Sequence, residues 1–90
     1  MTNGNSVTRE QVNELMINAE YQVTTAFDKT VIVACKLPNG FVIVESSSCV
    51  DPANFDAKVG QEICEERIEG RIWELEGYLK QNQLKEELAK

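Results

Sequence analysis

The sequence contains no histidine. That absence removes the side chain most used as a general base near neutral pH and the commonest metal ligand. Cysteine is sparse and unpaired: Cys35, Cys49 and Cys64 are three in number, widely spaced, and form no C-x-x-C. Neither a disulfide framework nor a zinc site is supported, and the three thiols read as small buried or half-buried groups. Apolar runs are short. The longest, Val31 to Cys35, falls far below the ~20 residues of a membrane span. Met1 to Val7 lacks the basic-then-apolar order of a signal peptide, so a cytoplasmic setting with no membrane partner is expected. Basic residues are outnumbered 9 to 15, for a formal charge of −6. Such a chain is a poor coat for a nucleic-acid polymer, because phosphate neutralisation needs a basic face. There is no Walker-type loop, no G-x-G-x-x-G and no G-x-S-x-G, so the phosphate cradle and nucleophile elbow that those motifs build are not expected.

What is present fits one small domain over residues 1–90, with an ordinary apolar share of 42%. Residues 1–7 are polar and are expected to fray. Thr8 with Gln11 matches a capping box, and Val12, Leu15, Met16 and Ala19 follow helical spacing, which predicts a helix over Thr8–Ala19. At Glu20 the period drops to two. Tyr21, Val23, Thr25 and Phe27 alternate with polar or small neighbours, as a half-buried strand would. Thr30 to Leu37 is β-branched and apolar on both sides, the pattern of a central strand. Pro38-Asn39-Gly40 marks a turn, and Phe41 to Ser46 reads as a third strand. A polar loop, in which Asp51 or Asn54 can cap the next helix, leads to one long helical pattern from about Asp56 to Leu88, with residues 81–90 as a solvated tail. The fold expected is α+β: a short N-terminal helix, a three-stranded antiparallel meander and a long C-terminal helix.

At ~100° per residue the long helix carries two apolar stripes. Cys64, Ile68, Ile72, Leu75 and Leu79 form one; Val59, Ile63, Gly70, Trp73 and Gly77 lie nearly opposite. One stripe suffices to pack on a three-stranded sheet. The second is either covered by the Thr8–Ala19 helix or packs on a second chain, and association into a homodimer or larger assembly is the expectation, since self-complementary surfaces associate symmetrically.

Chemistry is thin. Carboxylates such as Glu65 and Glu66 lie along a wet helix face rather than converging in a dry cleft, where acid–base work needs them. Ser46-Ser47-Ser48 has no base partner. No enzyme, no metal and no cofactor is expected. A binding role is better supported. The strand-to-helix loop Cys49 to Phe55 offers helix N–H groups for an anion. Phe41 and Phe55 supply rings that can stack on a base, and Arg67 and Arg71, one turn apart, can fork onto a phosphate. Against that, Asp51 and Asn54 can merely cap, and the arginines can pair with Glu74 or Glu66 at helical spacing.

The strings Cys49-Val50-Asp51-Pro52-Ala53-Asn54-Phe55-Asp56 and Ile72-Trp73-Glu74-Leu75-Glu76-Gly77-Tyr78-Leu79, with Asn39-Gly40-Phe41, Glu45-Ser46 and Val59-Gly60, resemble the phage gene-product 49/66 family of small phage proteins. That family is similar to the phage Thoeris anti-defence sponges of the first type. These sponges sequester cyclic ADP-ribose isomers made by bacterial TIR-domain enzymes, some also hold cyclic oligonucleotides, and they bind without hydrolysis in pockets shared between protomers. The resemblance implies Asn54 in the nucleotide pocket, Arg71 near phosphate, and Phe41 or Phe55 as the stacking face. Asp51 and Arg67, read from the same loop and helix, complete the candidate ligand-binding residues. It implies a phage protein acting in the host cytoplasm by capturing a small cyclic nucleotide. The alternative is a phage inhibitor or adaptor that binds a host protein through its acidic helical surface.

Overall fold

A computed structural model describes residues 6–89 of the chain. The elements run α1 (Arg9–Ile17), β1 (Glu20–Ala26), β2 (Thr30–Lys36), β3 (Val42–Ser48), a 3-10 turn (Pro52–Asn54) and α2 (Ala57–Leu88). The sheet is antiparallel in the order β1-β2-β3. The fold is therefore α+β, with the meander between a short and a long helix. The expectation of a frayed start falls on residues 1–5, outside those described, and on Ser6 and Val7; Val7 packs against the core.

Each element has a local cause. The Thr8 side chain accepts from the Gln11 backbone at 3.2 Å while the Gln11 side chain takes the Thr8 N–H at 2.9 Å, which closes the capping box. The β1–β2 reversal places Phe27 and Asp28 at φ +58° and +53° and closes with Lys29 N–H on the Ala26 carbonyl at 3.2 Å. Two central residues with positive φ match the right-handed twist of the flanking strands. This corrects the reading of Phe27 as the last inward residue of β1: it stands in the turn, 89% exposed. The β2–β3 reversal behaves as its sequence announces, with Gly40 at φ +93° and the Asn39 side chain accepting from the Phe41 N–H at 2.9 Å. β3 runs two residues further than expected, through Ser48, because Thr30 and Ser48 share a cross-strand hydroxyl pair at 2.8 Å.

α2 lies across one face of β2 and β3, running from the Ser48 end of β3 toward its Val42 end. Gly60 sits directly on Val31: a Cβ there would stand 2.8 Å from the valine Cγ2, so only glycine fits. Beneath the helix Val31, Val33 and Cys35 meet Cys64, Ile68, Ile72 and Ile43, all at most 1% exposed. Seven strand residues span ~23 Å and the fifteen helical steps from Gly60 to Leu75 span ~22 Å, so the sheet ends where Leu75 does. Leu79, the last residue of the same stripe, is therefore half exposed at 50%, and helix and sheet together reach 58 Å in length.

The opposite stripe is partly covered within the chain. Arg9 of α1 lies over the Trp73 ring at 5.8 Å and pairs with Glu69 at 3.4 Å, and Val12 is fully buried. Gly70 and Gly77 face open space. The close approach that a glycine permits occurs instead at Gly60, onto β2.

Candidate functional site

Where β3 ends and α2 begins, a half-open hollow of about 270 Å³ forms. Its floor is Gly60, its walls Phe55, Val59 and Ile63, and its polar rim Lys29, Ser47, Ser48, Cys49, Asn54 and Asp56. Three separate stretches meet here for definable reasons. Register pairs Thr30 with Ser48, and the Cys49 N–H reaches the Lys29 carbonyl at 2.8 Å, which brings the β1–β2 turn beside the end of β3. The 3-10 turn then folds Asn54 and Phe55 back over the gap, with the Phe55 N–H on the Pro52 carbonyl at 3.1 Å. Phe55 packs on the core while its neighbour Asn54 is exposed.

The sequence-derived candidates separate. Asn54 and Phe55 line the hollow. Phe41 does not: it lies beyond the other end of β3, six residues from Ser47, which at ~3.3 Å per residue is ~20 Å away. Asp51 turns its carboxylate to the Ala53 N–H at 2.9 Å and so caps the 3-10 turn. The α2 cap is neither Asp51 nor Asn54 but Asp56, whose carboxylate accepts from the Lys58 and Val59 N–H groups at 3.0 and 3.3 Å. That corrects the expectation of free helix amides waiting for an anion, because a tethered carboxylate already holds them.

The arginines are also engaged, and not with Glu66 or Glu74. The Leu37 N–H donates to the Phe41 carbonyl and the Cys49 N–H to the Lys29 carbonyl, which marks these as hydrogen-bonded pairs; alternation puts Ile32–Ser46 in the other class, so the main-chain groups of Ser46 point to the free edge of the sheet. Arg67 donates to that Ser46 carbonyl at 2.7 Å, and Arg71 pairs with Glu45 at 3.4 Å. Both guanidiniums brace β3 rather than converge on one point. Arg67 stands one turn beyond Ile63 and touches the residue before Ser47, which sets it at the margin of the hollow; Arg71 lies a further turn away.

Lys29, Ser47, Ser48, Val59 and Ile63 were not among the sequence candidates. The signal that could have found them is the hairpin register, which places Lys29 opposite Cys49. No group of histidine, cysteine, aspartate and glutamate side chains among the described residues is arranged to hold a metal ion. The three cysteines are free, with Cys35 and Cys64 buried and burial raising both thiols above their ordinary pKa. No helix among the described residues is long and apolar enough to cross a membrane.

Residues 7–84 match the model of the Phage protein (N4 Gp49/phage Sf6 gene 66) family. The chain belongs to that family. No curated protein and no solved structure matches it. For this Gp49/gene 66 family protein the hollow combines an aromatic wall, an amide, two hydroxyls and a lysine with Cys49 and Asp56. The ring, amide, hydroxyls and lysine can bind a polar ring with an anionic substituent.

Proposed function

We propose that this phage protein captures a small cyclic nucleotide, a cyclic ADP-ribose isomer or a related cyclic signal, and releases it unchanged, so that it acts in the host cytoplasm as a non-enzymatic anti-defence sponge. The observation that carries the reading is the set of groups around the hollow. Phe55 supplies a ring to stack on a base. Asn54 supplies an amide for the base edge, Ser47 and Ser48 supply hydroxyls for ribose, and Lys29 with Arg67 at the margin supplies positive charge for phosphate. The volume of about 270 Å³ is just under the ~300 Å³ at which small-molecule sites begin, so one chain encloses part of such a ligand. A homo-oligomer in which a second chain closes the open side would enclose the rest. Sequestration at roughly 10 nM needs about −11 kcal/mol, which favours such enclosure.

Isothermal titration of the folded protein with cyclic ADP-ribose isomers and cyclic di- and trinucleotides tests the reading. Heat is expected with at least one, and the ligand recovered after denaturation should be intact. Asn54→Ala should weaken binding tenfold or more with an unchanged melting temperature. Absence of heat with every ligand ends the sponge reading, and a cleaved product makes the protein an enzyme.

A second reading rests on the adjoining face of α2, where Glu62, Glu65, Glu66 and Glu69 surround Met16 and Ile63 in a shallow acidic recess. That surface suits a basic patch on a host protein, which would make the chain an inhibitor or adaptor. Binding that fails with Glu62→Lys and Glu66→Lys yet survives Asn54→Ala would favour it.

A further inference from the structure

The two edges of the sheet differ in how they are closed. On β3 the main-chain groups of Ser46 point outward, and Arg67 covers one of them by donating to the Ser46 carbonyl at 2.7 Å. Among the described residues nothing does so on β1. In β2 the main chains of Val31, Val33 and Cys35 serve β3, so those of Thr30, Ile32 and Ala34 serve β1, where their partners are Ala26, Thr24 and Gln22. Tyr21, Val23 and Thr25 therefore turn their N–H and carbonyl groups to the open side, and among the described residues these groups have no hydrogen-bond partner. An open edge is a template for another chain, and proteins blunt it with lysine, proline, a bulge or a very short strand. β1 uses none of these. It is 7 residues long, its register with β2 is unbroken from Glu20 to Ala26, and its single charge, Glu20, is paired with Lys36 at 3.8 Å.

Beside this edge stands one flank of α2. Arg67 and Arg71 reach β3 while Cys64 and Ile68 face the sheet, so helical geometry sets Gln61 and Glu65 on the β1 side. Gln61 donates to Glu65 at 3.0 Å, and Glu65 is near enough to Tyr21 for its charge to bear on the phenol. Glu62 follows on the same flank, and among the described residues neither Glu62 nor Glu65 has an ion-pair partner. Lys58, one turn before Glu62, offsets part of this charge. We propose that β1 accepts an extended, basic segment of another protein as a fourth strand. Main-chain bonds to Tyr21, Val23 and Thr25 supply the affinity, and alternate side chains of the guest supply the specificity. Every second guest side chain passes Val23 toward Glu62 and Glu65, where lysine or arginine is favoured. The others lie beside Gln22 and Thr24 on the bare face of the sheet, away from α2. Charge also disfavours a second copy as the guest. Two β1 edges paired about a two-fold axis normal to the sheet put both α2 helices on one side, with their Glu62 and Glu65 flanks opposed across the seam. The site is separate from the hollow and does not depend on nucleotide capture. It shares Glu62 and Glu65 with the acidic recess but rests on the strand edge, which the recess does not include.

The probe is an end-blocked heptapeptide alternating lysine and valine, titrated into the isotope-labelled full chain to about 2 mM. Amide exchange at Val23 and Thr25 should slow as peptide is added, while Gln22 and Thr24, already bonded to β2, should not change. N-methylation of all the peptide nitrogens removes the donors and should weaken binding at least tenfold. Glu62→Gln with Glu65→Gln should weaken it about fivefold, and a peptide alternating glutamate and valine should not bind. Asn54→Ala should leave peptide binding unchanged, so failure of nucleotide capture and failure of this site are read separately. Unchanged exchange at Val23 and Thr25 up to the highest concentration overturns the proposal. So does binding indifferent to N-methylation, which assigns the peptide to the acidic recess by charge alone. Protection of these amides that rises with protein concentration and needs no peptide overturns it in favour of a second copy.

Discussion

On the face of the sheet beneath α2, Val31, Val33 and Cys35 are wholly buried, whereas Ile32 and Ala34, their neighbours in the chain, are only half covered on the other face. Ile32 and Ala34 are as apolar as the buried residues beside them, so at these positions strand sequence does not explain the difference. The lid does. Gly60 lets α2 settle onto Val31, and Ile68 and Ile72 then exclude water from one side alone. The contrast continues sideways, because α2 covers β2 and β3 but leaves β1 mostly open, with Val23 41% exposed. Stability is thus concentrated in one helix–sheet contact, while the other face is held by its ladder alone.

Substitutions and one pH titration would break or sharpen that contrast. Ile68→Ala removes a fully buried side chain under the lid and should cost about 3 kcal/mol. Val44→Thr on the bare face should cost less than about 0.5 kcal/mol in dilute, monomeric protein. Equal losses in thermal unfolding would refute the division between faces. Gly60→Ala forces a methyl to 2.8 Å from the Val31 Cγ2 and should cost about 2 kcal/mol. Combined with Val31→Ala it should cost about 1 kcal/mol less than the sum of the two, since the cavity accepts the methyl.

Tyr21 tests the border of the covered face. Its hydroxyl donates to the Met16 carbonyl at 2.7 Å, and burial, then the nearby Cys35 thiol, push its pKa from 10.0 up to about 12. The unfolded chain therefore loses the phenol proton first. The stabilisation is complete below pH 10 and is lost as pH rises toward about 12. Urea titrations should show that slope, and Tyr21→Phe should reduce it, leaving the part that the buried Cys35 and Cys64 thiols contribute. The smallest effect is a gain. Phe27 is 89% exposed at φ +58°, so Phe27→Asn gives up little burial and relieves left-handed strain, worth roughly 0.5–1 kcal/mol. If stability falls instead, the ring makes contacts that its exposure does not show.

Much of this fold was legible in the chain. The capping box at Thr8 and Gln11, the Pro38-Asn39-Gly40 turn, the two-residue period of the strands and the Cys64–Ile68–Ile72 stripe each act within a few residues, where sequence is sufficient. Phe27 was misread because the alternation in β1 runs straight through it, and Ala26-Phe27-Asp28-Lys29 lacks the Asn-Gly signature of a tight turn. The candidate site was half legible. Asn54 and Phe55 belong to a local turn and were found together. Phe41 looked equivalent to Phe55 because both are aromatic and flank the same strand, but an extended strand holds its two ends apart. The helix amides looked available until Asp56, adjacent to the candidate loop, took them with its own side chain.

The chain by itself decided its elements, their caps and reversals, and which stripe of the long helix meets a sheet, since these follow from periodicity and from hydrogen bonds between near neighbours. Only the packed structure decided which aromatic shares a hollow with Asn54, that Arg67 and Arg71 are tied to the edge of β3, and that Val42 and Val44 face outward. Each of those depends on strand register and on the side of the sheet that α2 covers, and both are set by contacts between residues far apart in the chain, where local pattern carries no information.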